Sequence, residues 1–449
     1  MLSVLWSLFF FICALVILIF VHEFGHFFVA RLFGVKVEKF SIGFGKVLWR
    51  HVDKNGTEYV LSLIPLGGFI KMLDDRVDST LCTTKSTQSF NNKSIWQRMG
   101  IVSAGPIFNF IFAIFAYLMV FIIGIPVVRP VIDDIIDGSP AAEAKISSGM
   151  EIKSINGIET PDWDSVYVAL SKKTCNQDIK MTCAPLNSTK INQKNIHLHE
   201  EKCHLDARDL LLFLGIKPNL PWEKLVLGNV QKNSAGNKAG LQPGDKIITA
   251  SDRILKDWRD FDMIVRNNLG IPILLEVERE GKKIKRVLTP DNYLNNHQGC
   301  SGLSPRVIFL PNEYTILRKY GIFDSFCKAT VQTWKIISLT TNMIKKMMIG
   351  EMTLQNISGP ISIAKGAGKS AEYGLSSYVI FLAIISINLG MMNLFPLPVL
   401  DGGHLFFLLV EKIFGKPLPE VMYQIGYGVS VIILMFLTGL AFFNDFSHF

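Results

Sequence analysis

Four stretches of this chain, residues 1–21, 99–128, 378–400 and 421–444, carry no charged side chain at all. A hydrocarbon core about 30 Å thick takes roughly 20 residues of helix to cross. Inside it no water satisfies the backbone, so only helices or closed barrels span it. Each stretch is therefore read as a transmembrane helix. Composition agrees, since 49% hydrophobic and 19% charged residues is too apolar for an ordinary soluble protein. The first run lacks a basic start and a small-residue cleavage site, and its apolar core is too long for a signal peptide, so it is expected to be retained.

Charge places the remainder. A net charge of +8 in a membrane protein marks loops facing anionic lipid rather than a nucleic-acid site, and no nucleic-acid partner is expected. Between residues 31 and 98, Lys and Arg outnumber Asp and Glu, which suggests that this connection is cytoplasmic. The seven cysteines are irregularly spaced and form no CxxC framework, so no redox function follows. Cys175, Cys183 and Cys203 share one expected domain with His197, His199 and His204, in a spacing that matches no zinc pattern.

Between the second and third spans the polarity is mixed over a length that suits two domains. There Asn233-Ser234-Ala235-Gly236-Asn237-Lys238-Ala239-Gly240-Leu241-Gln242-Pro243-Gly244-Asp245-Lys246-Ile247-Ile248 reads as a short helix, a glycine stop, a Pro-Gly-Asp turn and a β-branched strand. That order resembles the PDZ fold. A second copy runs from Gly138-Ser139-Pro140-Ala141-Ala142 to Asn156-Gly157, with Gly149-Met150-Glu151 where Gly-Asp is usual. A tandem repeat is the economical reading. Ser251-Asp252-Arg253 replaces the expected Gly or Asn turn, and neither copy shows a Gly-rich carboxylate-binding loop, which favours a size filter over a binder of peptide C-termini. Farther on, residues 314–349 repeat Ile, Leu, Trp and Met at helical spacing among lysines, a pattern for a helix lying along a membrane surface or, equally, for one packed on a domain.

The chemistry begins at Val21-His22-Glu23-Phe24-Gly25-His26. On a helix, residues four apart project in nearly the same direction, so His22 and His26 can reach one metal ion. Zinc suits two neutral imidazoles plus a carboxylate, with a fourth position open for water. Glu23 is then the candidate base that takes the water's proton. Ionisable side chains continuing a lipid-length helix cost about 2.5–3.5 kcal/mol each and rarely persist without function.

A third ligand is sought in Asn393-Leu394-Phe395-Pro396-Leu397-Pro398-Val399-Leu400-Asp401-Gly402-Gly403-His404. Its prolines and glycines break the helix, and non-helical backbone at membrane depth requires a protein-lined or watery cavity. Asp401 and His404 both qualify as donors; the carboxylate completes the more familiar set and favours Asp401. Asn393 is a candidate donor to a substrate carbonyl. Two short apolar strands flank Pro65-Leu66-Gly67-Gly68 within residues 58–71, and a free edge including Leu63, Gly67, Gly68 and Phe69 could pair with an unwound substrate. Gly105 and Asn109, one turn apart beside Ala104 and Pro106, would allow close helix approach near the active site, with routine span packing favoured over direct catalysis.

The motifs HEFGH and NLFPLPVLDGG, with paired PDZ-like pieces between them, resemble the bacterial site-2 proteases over essentially the whole chain. The resemblance implies zinc held by His22, His26 and Asp401, Glu23 as base, four spans, and a membrane-dipping β-hairpin at residues 58–71. It further implies an inner-membrane enzyme with periplasmic PDZ domains and an active site toward the cytoplasmic side. Its substrates would be single-span proteins, such as an anti-sigma factor trimmed beforehand, and leftover signal peptides. The fold expected is thus a multi-domain membrane protein: an α-helical core with that hairpin and two tandem PDZ-like α+β domains. Boundaries are drawn at 1–30 for the first span and 31–97 for the hairpin-bearing loop. The second span takes 98–126, the two PDZ-like domains 127–222 and 223–311, and an amphipathic connector 312–375. The third span takes 376–404, a cytoplasmic loop 405–420, and the fourth span 421–449. The alternative is a catalytically inactive, membrane-anchored PDZ scaffold, which would have no need of a charged, open metal site.

Overall fold

A computed structural model describes residues 2–73, 86–172, 178–188, 190–196, 207–219, 222–231, 234–255, 257–291, 301–307, 311–349, 359–416 and 419–447. The chain opens with α1 (Leu2–Leu32), β1 (Val37–Val52), β2 (Glu58–Met72), α2 (Ile95–Ile123) and β3 (Ile125–Val128). Next come β4 (Ile132–Ile135), α3 (Pro140–Glu143), β5 (Met150–Ile155), β6 (Ile158–Glu159), α4 (Trp163–Ser171), β7 (Ile179–Pro185), β8 (Asn192–Ile196), α5 (Ala207–Phe213) and β9 (Ile216–Pro218). They are followed by β10 (Trp222–Val230), α6 (Ala235–Lys238), β11 (Lys246–Ala250), β12 (Arg253–Ile254), α7 (Trp258–Asn267), β13 (Ile273–Arg279), β14 (Lys282–Leu288), β15 (Leu303–Val307) and β16 (Thr315–Arg318). Helices α8 (Ile322–Ile349), α9 (Pro360–Glu372), α10 (Leu375–Asn393), α11 (Asp401–Phe414) and α12 (Glu420–Ser447) complete it. Two compact units result, one of residues 1–125 with 319–449 and the other of residues 126–318.

In the first unit, four helices are long and apolar enough to cross a membrane: Ser3–Leu32, Ile95–Ile123, Leu375–Asn393 and Val421–Phe446. The first continues without a break past the last apolar residues through HEFGH to Leu32. Ser94 starts α2 with a capping box closed by Gln97, which satisfies two otherwise orphaned amides. Small residues set the helix crossings. Gly25 lies against the Ala104 carbonyl and Phe108, and Gly390 lies against the Pro106 carbonyl and Phe110. Ser386 Oγ donates to the Asn109 carbonyl at 2.8 Å, and Tyr378 Oη to the Phe10 carbonyl at 2.8 Å. Asp445 near the end of α12 accepts from the amides of Gly359, Ile361 and Ser362, capping α9.

Two expectations are revised here. Residues 314–349 do not form one surface helix: a short strand precedes α8, and α8 packs against α2 and α10. Ala329 joins the cluster of Ala113, Ala116, Tyr117, Ala383 and Ile387, and Thr340 bonds Asn388. Its opposite face still exposes Phe323, Phe326, Val331 and Trp334, so α8 is apolar on both sides and its lysines could not mark a single wet face. Residues 405–414, expected as loop, are helical within α11. Arg98 of α2 grips Glu411 of α11 at 2.6 and 3.2 Å, a contact no local pattern reveals.

Strands β1 and β2 form a sheet more folded than a simple hairpin. Residues 39–42 have partners on both sides, Lys71 to Gly68 on one and Glu58 to Leu61 on the other, while residues 47–52 pair outward with residues 58–62. The edges are thus the outer part of β1 and the end of β2 containing Gly68 and Phe69. Phe44, Leu48, Trp49, Leu63 and Ile64 are exposed on it.

The second unit contains the same α+β arrangement twice. Sheets ordered β6-β5-β7-β8 and β14-β13-β11-β10-β15, with β12 on β11, are matched by β4 pairing β9 as β10 pairs β15. Ser139 caps α3 and Ser234 caps α6, each accepting from the amide three residues on. Gly215 and Gly302, both at positive φ, press against those serines, in a place where a Cβ would meet the cap and the backbone conformation disfavours one. Two buried cores, one around Ile152, Val166 and Met181 and one around Ile247, Phe261 and Val277, underlie the copies. Cys183 is a buried free thiol in the first; Cys175, Cys203, His197, His199 and His204 lie outside the described residues. Ser251 and Asp252 adopt the left-handed turn that Asn156-Gly157 makes in the other copy.

Buried Asp245 holds the second copy together, accepting from Arg279 Nε at 2.7 Å, Arg279 Nη2 at 2.8 Å and the Gln242 amide at 2.9 Å. Burial raises its pKa, but these donors and the nearby Arg charges outweigh that and hold it below the usual 3.8. A depressed carboxylate stabilises the fold above its unfolded pKa and ceases to do so as pH falls through the folded value. Asp245→Asn should therefore cost about 1.5–3 kcal/mol at pH 7 and flatten the loss of stability below about pH 4. Hydrogen exchange of β11 and β13 amides in the full-length protein checks this; parental acid sensitivity in the variant would contradict it.

Candidate metal centre

Helix α1 carries His22, Glu23 and His26 to its crossing with α2, and the loop after α10 delivers Asp401 to the same place. His22 Nε2 and His26 Nε2 lie 3.4 Å apart. Asp401 Oδ2 stands 3.2 Å from the first and 3.4 Å from the second. Among the described residues this trio is the one His/Cys/Asp/Glu group close enough to share an ion. His404, one turn farther along α11, is exposed and outside the group.

The separations can be tested against zinc. Ligands about 2.0–2.1 Å from a tetrahedral ion stand roughly 3.3–3.4 Å from each other, which is what the three donors do. Direct hydrogen bonding does not explain them: Asp401 Oδ2 is buried and makes no hydrogen bond, despite both imidazoles within reach. His26 Nδ1 bonds the Ile101 carbonyl at 2.8 Å. A carbonyl only accepts, so Nδ1 carries the proton and Nε2 presents its lone pair to the group. The donor set and its orientation fit zinc.

Backbone close to the trio is kept bare. A Cβ on Gly105 would strike His26 Nε2 and, at 2.7 Å, His22 Cε1. Gly402 and Gly403 nest against the carbonyls of Leu394, Phe395 and Leu397, so the paired glycines let α11 start inside the Pro-rich loop. Asp401 then occupies the first turn of α11, where the helix dipole favours a carboxylate. Buried Glu23 has His26, His22 and Asp401 as its electrostatic neighbours.

The expected substrate-contact residues divide. Gly68 touches the Glu23 side chain, since a Cβ there would lie 2.8 Å from Glu23 Cγ and from the Ser41 carbonyl. Asn393 Nδ2 is 3.3 Å from His22 Nε2. Gly67 lies against the Phe44 ring; Phe69 stacks on Phe44, and Leu63 is exposed. Gly105 and Asn109, expected to bring helices close near the active site, adjoin the imidazoles directly, with Asn109 Nδ2 3.1 Å from His22 Nδ1. A buried amide in an apolar span was the available signal.

Histidines, a carboxylate and an adjacent glutamate on a membrane-spanning scaffold define a zinc metalloprotease of the site-2 type. The chain belongs to peptidase family M50, whose pattern matches residues 10–437. It is 52% identical over 451 residues to the protease RseP of Yersinia pestis, covering 100% of both chains. It is likewise 51% identical over 450 residues to the regulator of sigma-E protease RseP of Escherichia coli K12, again covering 100% of both. With the regulator of sigma E protease of Haemophilus influenzae it shares 44% identity over 446 residues, 99% of each chain.

Gly105→Ala places a methyl against both imidazoles. Overpacking of this kind costs about 1–3 kcal/mol, so zinc affinity should fall roughly tenfold or more, read by chelator competition on the purified protein. Unchanged affinity would show that the helices yield and that Gly105 does not shape the centre.

Proposed function

We propose that the chain is an intramembrane endopeptidase in which His22, His26 and Asp401 hold zinc and Glu23 is the general base. The observation that carries this is the trio of donors at tetrahedral spacing beside a buried glutamate, all on elements of a membrane-spanning core. Zinc held by His22, His26 and Asp401 would supply Lewis-acid polarisation and acidify water toward a pKa of about 7. Glu23 takes the proton from the attacking water and delivers it to the leaving amine. Asn393 donates its amide to the carbonyl under attack, which sets that carbonyl beside His22.

A helical substrate must unwind first, because its peptide groups are closed in internal hydrogen bonds. The free edge of β2 at Gly68 and Phe69 receives the extended segment by strand pairing, and contact between Gly68 and Glu23 brings it to the base. Exposed apolar side chains on the same sheet suit a lipid environment and support a membrane-dipping role. The two α+β copies act as PDZ-like size filters on the periplasmic side of the inner membrane. Support comes from their edges: β9 and β15 cover the first strands and carry Pro218 and Pro305, which remove donors that strand addition would need. Relatives named as regulators of sigma-E support an anti-sigma factor as substrate; by the resemblance to site-2 proteases, leftover signal peptides are substrates too, each a single-span protein cut within the bilayer toward its cytoplasmic side.

Replacing Glu23 with Gln removes the base but no metal ligand. Cleavage of a tagged single-span substrate in membranes should drop at least about 100-fold, with zinc content kept. Turnover at the parental rate would reject the assignment.

A further inference from the structure

A neutral imidazole offers a metal only one nitrogen, so each histidine of the trio must be told which. For His26 the Ile101 carbonyl does so. His22 has no carbonyl on Nδ1; it faces the Asn109 side chain at 3.1 Å. The two ends of an amide have the same shape, and their assignment follows from the bonds they make. With the NH2 end toward Nδ1, the His22 proton would sit on Nε2 and be spent on His26 Nε2, 3.4 Å away, which would leave neither lone pair for a metal. Asp401 Oδ2 accepts no hydrogen bond, and Asn109 Oδ1, turned away from the ring, is buried with no donor. Reversing the amide puts Oδ1 on a protonated Nδ1 and leaves Nε2 free.

We infer that Asn109 is a positioning residue for the zinc site: its Oδ1 accepts from His22 Nδ1, fixing the tautomer and ring plane that aim Nε2 at the metal. This rests on the reading of His22 as a ligand. Asn109 is fully buried, as is Ser386, whose hydroxyl pins the Asn109 carbonyl from α10. Asn109 is therefore tied to both α2 and α10. Asn393 approaches His22 from farther away, at 3.3 and 3.5 Å from the two ring nitrogens, and its amide points at both rather than choosing one.

Groups that orient metal-bound histidines are worth roughly 10- to 100-fold in metal affinity. Zinc dissociation constants, measured by chelator competition on purified full-length protein, should weaken by that factor in Asn109→Leu, which keeps the volume and loses the acceptor. Asn109→Asp, whose ionised carboxylate can only accept, should retain near-parental affinity and the parental cobalt(II) absorption spectrum, whereas Asn109→Leu should shift that spectrum. Parental affinity in Asn109→Leu, or equal losses in both variants, would overturn the inference. His22→Ala separates the two claims: if it keeps zinc as tightly as the parent, the ligand assignment itself fails, and if it alone loses zinc, only the role of Asn109 does.

Discussion

Two histidine nitrogens and one carboxylate oxygen, drawn within 3.4 Å of each other from opposite ends of the chain, are the constraint around which the first unit is arranged. Three polar atoms so close, with Asp401 Oδ2 accepting no hydrogen bond, would be costly in an apolar surrounding, and a divalent cation would turn that cost into attraction. The surrounding glycines then have a common purpose. Gly25 lets α1 and α2 meet, Gly105 leaves room for both imidazoles, and Gly402 and Gly403 admit the start of α11 to the loop that carries Asp401.

Rigidity comes from a small number of polar ties across the helices. Arg98 and Glu411 clamp α2 to α11 on the far side of Asp401. Removing one partner of such a buried pair leaves an uncompensated charge, so the clamp also discourages α11 from drifting. Ser386 joins α10 to the backbone of Asn109, and Asp445 closes the amino end of α9. Each replaces a lost contact with water by an internal one, as polar groups withdrawn from solvent require.

Much of this was legible in the residues. The four spans follow from missing charge, and the i, i+4 histidines with an intervening glutamate declare one helix face. Asp401 is exposed as special by the prolines and glycines around it. The doubled α+β pattern shows in Ser139-Pro140-Ala141 and Ser234-Ala235-Gly236, whose serines are caps in both copies. Other features depend on tertiary partners. Arg98 and Glu411 carry no mutual signal across the chain; α8 buries one apolar face on α2 and exposes another, which erases the periodicity that would place it. Residues 39–42 pair on both sides of the sheet because β1 and β2 shift register repeatedly, and no alternation of side chains announces that. Asn109 is placed near the active site by its spacing from Gly105, but its approach to His22 Nδ1 depends on how α1 and α2 cross.

The account stands on one metal ion joining α1 to the loop before α11. X-ray absorption at the zinc edge on the purified full-length protein measures that join directly. One zinc per chain, with a first shell of nitrogen and oxygen only at about 2.0–2.1 Å and the outer-atom scattering of two imidazoles, is the predicted result. A shell containing sulfur at about 2.3 Å, or a single imidazole, would contradict it.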